Sequence, residues 1–418
     1  MQYVLWAVSF VSLWLSILWL SVAFFGQDAP IRMCTPKETV SIAIPVLNGA
    51  KGSRRGIVRT LESIQQLDYP QELLQIIVVD DKSSDNTLQI VRQFMNSHKN
   101  MNITLLRHKV NKGKGAAVNS ALEQASGTFF AVLDCDSRVA SNCIRISLSL
   151  FDSPRIGAVI PSIKVDDPKN IYEKLQRVEY ILSDLIRQLF GKMGTLFFSH
   201  GVLCIFRTRV VRSLGGFDGS RENLTEDLEM GLRLRAHHYD IKMSQHSLGY
   251  TFVPDTFRKL WRQRVRWFRG FLYNHLKYRR LIGNPDYGLL GLFQLPLNVI
   301  SVVLLLVTMG FVSYGVIDSW TTFVARSLSV NGYFLNHVLD FPNLKEVLIG
   351  QNVQVLLPIL LGSALGLWIL VLAHRRMKEK LLRHAIQIWL YIIVGPYLTC
   401  MHWIASLAHD LLRTKKKW

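Results

Sequence analysis

Phe129-Phe130-Ala131-Val132-Leu133-Asp134-Cys135-Asp136 is a run of five apolar residues closed by two carboxylates one residue apart. A run this short, rich in aromatic and β-branched residues and ended by turn formers, reads as a strand buried on both faces. Residues 40–47 and 74–79 have the same character, and the second run is closed by Asp80-Asp81. Between the runs, the spacing of apolar residues predicts helices over 57–66, 87–95 and 115–124. Alternation of this length predicts an α/β fold, a Rossmann-like and mostly parallel sheet with helices on both faces. Ligands of such sheets bind beyond the carboxyl ends of the strands, where both acidic pairs stand.

Each polar cluster along this pattern has a chemical and a purely structural reading. Asp81, followed by Lys82-Ser83-Ser84-Asp85, can accept hydrogen bonds from a base or ribose, or its neighbours can cap the next helix. In Asn111-Lys112-Gly113-Lys114-Gly115, Lys114 at a helix N-terminus suits a phosphate, or the segment is a solvated turn. It lacks the GxxxxGK[ST] of a P-loop. Asp134 and Asp136 suit a hard divalent cation shared with phosphate oxygens. Thr225-Glu226-Asp227 opens a helix over 228–236. There a carboxylate serves the helix dipole or acts as a general base toward a hydroxyl.

Outside this region the composition changes. Of 418 residues 49% are hydrophobic, and the excess lies in the first 26 residues and after Tyr287. Residues 3–26 carry no charge and are long enough to cross a bilayer. They lack the basic start of a signal peptide, so they read as a retained anchor. Arg32, Lys37, Lys51, Arg54 and Arg55 follow, which places the next domain in the cytosol by the positive-inside rule. Three further apolar segments cover 289–316, 353–373 and 385–408, with an outside loop expected over 319–351. The last segment has basic flanks on both sides, so it re-enters at Gly395-Pro396, lies in the interface, or breaks the charge rule. The net charge of +19 fits a membrane protein facing anionic headgroups and an anionic substrate, and no nucleic-acid partner is expected. The five cysteines have no metal-ligand spacing and read as reduced thiols.

Between the two regions, residues 256–280 form a basic amphipathic stretch without a single acid, as expected of a helix in the membrane interface. It contains Gln263-Arg264-Val265-Arg266-Trp267. An amide, two guanidinium forks and an indole face within about one and a half turns suit a diphosphate and a sugar ring.

In order, Asp81, Asp134-Cys135-Asp136, Thr225-Glu226-Asp227 and Gln263–Trp267 resemble the D, DxD, TED and QxxRW series of family 2 glycosyltransferases. The resemblance is to the membrane-embedded processive synthases of cellulose, chitin, hyaluronan and poly-N-acetylglucosamine, and covers residues 38–270. It implies a GT-A domain over 38–255 after an anchor over 1–28. Interfacial helices over 256–284 and a transmembrane region over 285–418 follow.

It further implies that Asp81 contacts uridine, while Lys114 is expected to bind substrate from its own place at a helix N-terminus. Asp134 and Asp136 would bind Mg²⁺ or Mn²⁺ with the diphosphate, and Asp227 would be the base. Gln263, Arg266 and Trp267 would lie across the diphosphate and the acceptor sugar. The implied reaction is inverting transfer from a UDP-sugar to a glycan on the cytosolic face, coupled to secretion. The alternatives are a single transfer to a membrane lipid and a catalytically silent scaffold.

Pro45 and Asn48 match the family's opening P-x-x-N, but Gly49 stands where an acid often follows. Ser199-His200-Gly201-Val202 replaces a glycine-rich turn near the acceptor. There His200 either touches the acceptor or faces solvent.

Overall fold

The computed structural model describes residues 2–28, 32–50, 56–339 and 353–412. Lys51, Arg54, Arg55, residues 413–418 and much of the expected outside loop lie outside the described residues.

The three apolar runs are the strands β1 (Val40–Val46), β2 (Leu74–Asp80) and β4 (Phe129–Leu133). With β3 (Ile103–Arg107) they form a parallel half-sheet in the order β3-β2-β1-β4. Helices α2 (Ile57–Gln65), α3 (Thr87–Ser97) and α4 (Lys114–Gln124) supply the crossovers. Residues of β1, β2 and β4 alternate between two cores. Ile42, Ile76 and Ala131 pack on one face, and Ala43, Ile77 and Val132 on the other. Burial on both faces is why these strands lack an apolar–polar alternation.

Beyond β4 the sheet becomes mixed. The turn at Asp134 leads to β5 (Ser137–Val139), and helix α5 (Cys143–Leu148) precedes β6 (Ile156–Val165). Helix α6 (Ile171–Lys192) follows, then β7 (Val202–Arg207), α7 (Thr208–Ser213), α8 (Glu226–Ala236) and β8 (Asp240–Thr251). Strand β7 inserts antiparallel between β4 and β6, β8 runs parallel to β6, and β5 closes the edge on β8. The β4–β7 register shifts at Val132/Leu133, and a shift of that kind turns the strand end beside it toward the mouth of the sheet.

The basic stretch is one helix, α9 (Phe257–Lys277), entered through Thr256, whose hydroxyl accepts from the Lys259 amide. Among the described residues, four helices are long and apolar enough to cross a membrane: α1 (Gln2–Phe25), α10 (Leu295–Ser329), α12 (Val353–Arg376) and α13 (Ala385–Leu411). A short helix, α11 (Tyr333–Leu339), follows α10.

Two expectations change here. The helix does not end near 316 but runs to Ser329, because propagation adds one bond per residue and a lone Asp318 does not interrupt it. Residues 319–329 of the expected outside loop are therefore helical. Helix α13 passes through Gly395-Pro396 without a break, which removes the re-entrant option.

Its inner face docks on α6 and α9. Trp403 stacks on Phe268 at 4.3 Å, Trp261 lies 4.7 Å from His402, and Arg269 pairs with Asp410 at 2.7 Å. Toward its start, Ile388 packs with Val178 of α6. The end of α1 is tied down as well. Lys192 of α6 donates to the Ala23 and Gly26 carbonyls, and Asp28 bridges Lys192 and Arg376. The C-terminal ends of α1, α6 and α12 therefore meet at one level.

Candidate active site

The site lies at the carboxyl ends of β1, β2 and β4, as the sheet topology requires. Its floor is an acid cluster organised by one lysine. Lys114, the first residue of α4, places its Nζ 2.7 Å from Asp134 Oδ1 and 3.0 Å from Glu226 Oε1. Burial disfavours its charge, but Asp134, Glu226 and Asp227 outweigh burial and hold its pKa well above the ordinary lysine value. The sequence leaves Lys114 open as a phosphate ligand or a turn residue. The structure makes it the counter-ion of three carboxylates.

Asp227 stands at the start of α8, half-buried beside this lysine. Among the described residues its carboxylate accepts from the Leu228 amide, at 2.8 Å to Oδ1. Loss of hydration and the adjacent Glu226 raise its pKa to about 6, against the lowering pull of Lys114. That is the range a general base needs near neutral pH. A cavity of about 10 Å³, near the lower limit for one water, separates Lys114, Glu226 and Asp227 from His200 and Gly201.

Asp134 is seated by its neighbours. Its amide donates to the Gly201 carbonyl at 2.6 Å, and a Cβ added to Gly201 would lie 2.0 Å from Asp134 Oδ2. The glycine of the Ser199-His200-Gly201 turn is thus a steric requirement of the carboxylate. Asp136 is exposed on the turn into β5, where the Ser137 amide closes on the Asp134 carbonyl at 3.0 Å. Among the described residues, no three His, Cys, Asp or Glu side chains converge as a closed metal cage. Two hard carboxylates at an open strand end nonetheless fit a cation that completes its shell with water and phosphate oxygens.

His200 is half-buried, and its Nδ1 has no hydrogen-bond partner among the described residues. Its ring lines the small cavity, and Nε2 donates to the Pro161 carbonyl at 3.1 Å. Burial, with Arg187 nearby, pushes its pKa down to about 3, so it is neutral.

On the far side, Asp81 is buried and accepts from three donors. His108 Nδ1 and the Lys112 amide reach Oδ1 at 2.7 and 2.8 Å, and the Gly113 amide reaches Oδ2 at 2.8 Å. The carboxylate fixes the 111–113 turn that delivers Lys114. His108 is in turn held by Ser120 Oγ at 2.9 Å. This histidine is absent from the sequence reading, and its only signal is its place one residue after a short, half-buried strand.

Asn48, at φ +54°, accepts from the Ser84 amide and hydroxyl, and Asp85 accepts from the Ala50 amide. Gly49 has no room for the acid that often follows Asn, since a Cβ there would meet Val46 Cγ2 at 2.5 Å.

The Gln263–Trp267 stretch lies on α9, and α9 is fastened to the start of α8. Thr225 does not cap α8 with its side chain. Its hydroxyl accepts from Asn274 Nδ2 at 3.0 Å and lies where a Cβ on Gly270 would be, 2.3 Å away. Asn223 Oδ1 also takes Asn274 Nδ2, at 3.1 Å. Within the motif, Arg264 is buried, pairs with Glu179 of α6 at 2.7 Å and lies 4.2 Å from the Trp267 ring centroid. Gln263 Oε1 accepts from Arg264 at 3.0 Å. Arg266 and Trp267 are half-buried on the same helix.

Residues 36–270 match the family model described as "Glycosyltransferase like family 2". The chain belongs to that family. Among curated relatives, the Staphylococcus epidermidis poly-β-1,6-N-acetyl-D-glucosamine synthase is 28% identical over 269 residues, 62% of this chain and 64% of that protein. The Bacillus subtilis probable glycosyltransferase YdaM is 29% identical over 246 residues, 57% of this chain and 56% of that protein. The match thus spans less than two thirds of either relative's length. Among solved structures, the Pyrobaculum calidifontis mannosyltransferase PcManGT, in complex with GDP-mannose and Mn²⁺, aligns with a TM-score of 0.57 at 18% identity. It covers 89% of this chain and 95% of its own, which establishes the shared GT-A fold.

Proposed function

We propose that the protein is an inverting glycosyltransferase that moves a sugar from a UDP-sugar to a growing polysaccharide at the cytosolic face of a membrane. The observation that carries this reading is Asp227, raised to about 6 beside the Lys114–Asp134–Glu226 cluster, with the Gln263–Trp267 helix bolted to its own helix. Likeness to the poly-N-acetylglucosamine synthases supports a polymer product and makes UDP-N-acetylglucosamine the first donor to try.

The roles follow from the geometry. The turn held by Asp81 and the Asn48–Ser84 contact form the nucleoside side of the cleft. Asp134 and Asp136 would hold Mg²⁺ or Mn²⁺, which offsets charge on the departing diphosphate when bound. Arg266 and Gln263 add polar contacts to that diphosphate, and Trp267 offers a face to the acceptor sugar. Asp227 takes the proton of the acceptor hydroxyl as its oxygen attacks the anomeric carbon. The bond from that carbon to the diphosphate oxygen breaks, UDP leaves, and the configuration inverts. Lys114 keeps Asp227 ionised at neutral pH by holding its pKa below the value burial alone would give.

The organisation proposed with this chemistry is an anchor over 1–28, a catalytic domain over 38–255, interfacial helices over 256–284 and a membrane region over 285–418. With the ends of α1 and α12 at the level of the domain, α10 leaves and α12 returns. Helix α13 stays in the interface along α6 and α9, which accounts for basic residues on both of its flanks.

Membranes containing the protein, given radiolabelled UDP-N-acetylglucosamine with Mg²⁺ or Mn²⁺, should yield a polymer ladder on sizing. One sugar on an extractable lipid would replace the polymer reading with single transfer. UDP binding without turnover for any UDP-sugar would leave a silent scaffold.

A further inference from the structure

Helices α6, α9 and α13 enclose a cavity of about 280 Å³ that the sugar-transfer reading does not use. Its wall is mostly apolar, with Phe257, Leu260 and Phe268 from α9 and Val394 and Leu398 from α13. Its only charged residues are Glu179 and Arg264, and these neutralise each other at 2.7 Å. An anionic headgroup therefore finds no spare cation there.

Two side chains in the lining are more than nine-tenths buried and have an atom without a hydrogen-bond partner among the described residues. One is Gln176, 2% exposed, through Oε1, and the other is His402, 4% exposed, through Nε2. Gln176 cannot resolve this by turning its amide over, because Nε2 already donates to the Tyr172 and Pro254 carbonyls. Its oxygen is therefore left without a donor among the described residues. A buried polar atom left without one keeps an uncompensated loss of hydration.

We propose that this cavity binds the aliphatic chain of a neutral membrane lipid that ends in a hydroxyl, with the hydroxyl donating to Gln176 Oε1. The hydroxyl has one hydrogen, given to Gln176, so toward His402 Nε2 it acts as an acceptor, from the tautomer that carries its proton there. At about 280 Å³, against a lower limit of about 10–15 Å³ for one water, the cavity has room for an aliphatic chain. Its place between an amphipathic basic helix and the apolar α13 gives access from lipid rather than from bulk water. The cavity lies on the α6 side of Arg264, so occupancy would brace the helix that carries Trp267. The proposal does not depend on the sugar-transfer reading.

The test uses the full chain in lipid nanodiscs and a photoactivatable diazirine derivative of decanol, with labelled sites mapped by peptide mass spectrometry. Labelling of segments 172–179 and 390–402 should exceed that of lipid-facing α10 at least fivefold. Leu398→Trp, which fills the cavity, should lower it at least fivefold. Unlabelled decanol should compete at least fivefold better than decane, and Gln176→Met should abolish that preference. Labelling at the level of α10, or unchanged in Leu398→Trp, would overturn the site and leave a water-filled space. Equal competition by decanol and decane in the wild type would overturn the hydroxyl assignment, whether or not the variants fold.

Discussion

Asp81 and Asp227 are both aspartates at the mouth of one cleft, and the protein surrounds them in opposite ways. Asp81 receives three donors within 2.8 Å, from His108 and two backbone amides, and is buried. Asp227 accepts from one backbone donor among the described residues, stays partly open and faces Glu226 across a lysine. A carboxylate with that many fixed donors is spent on holding a turn. A carboxylate with few, next to another negative charge, is ready to accept a proton. On the proposed reading, Asp81 shapes the nucleoside side of the cleft and Asp227 takes the proton.

The strongest way to break this contrast is Asp227→Asn. Transfer of labelled sugar by membranes should fall by about 10²–10⁴-fold, the usual worth of a general base, while the protein stays in the membrane fraction. Retention of full activity would remove Asp227 from the mechanism. A smaller effect, about 10²-fold, is expected from Gly201→Ala, because a Cβ 2.0 Å from Asp134 Oδ2 must displace that carboxylate. Wild-type turnover and unchanged Mn²⁺ dependence in this variant would show that the seating of Asp134 is unimportant. The mildest change is Thr225→Val, which removes the bond from Asn274. It should cost about 1 kcal/mol of stability in a thermal unfolding assay in detergent, with activity lowered only a few-fold.

The same contrast explains what could be read from the sequence. Asp134 and Asp136 follow an uninterrupted apolar run, so their place at a strand end is visible without a structure. Asp81 is visible for the same reason, but its three donors are not. His108 and the 111–113 amides reach it only through the β2–β3 pairing and the loop that follows.

Helix α6 is less legible because its buried face is mixed. Val178, Ile181, Leu185 and Leu189 are interleaved with buried Glu173, Gln176, Asp184, Arg187 and Gln188, which blurs the apolar period that normally marks a helix. Asp184 alone takes Ser162 at 2.5 Å, the Ile163 amide at 3.1 Å and Gln188 at 2.9 Å. The mixed half of the sheet was hidden for a related reason. Insertion of β7 between β4 and β6 is a long-range pairing with no local signature. The course of α13 was ambiguous because its two flanks carry the same charge. Its docking on Phe268 and Arg269 supports the interfacial course proposed above.

The central claim is that Lys114 tunes Asp227 as the proton acceptor, and the pH dependence of kcat/KM for sugar transfer tests it most directly. A base with a raised pKa is inactive while protonated. Activity of the wild type should therefore rise with pH through about 6 and level off above it. Lys114→Met removes the charge that lowers the Asp227 pKa, so the same limb should move to higher pH, with a lower plateau. A profile flat between pH 5 and 7, or a limb that stays in place without Lys114, would contradict the account.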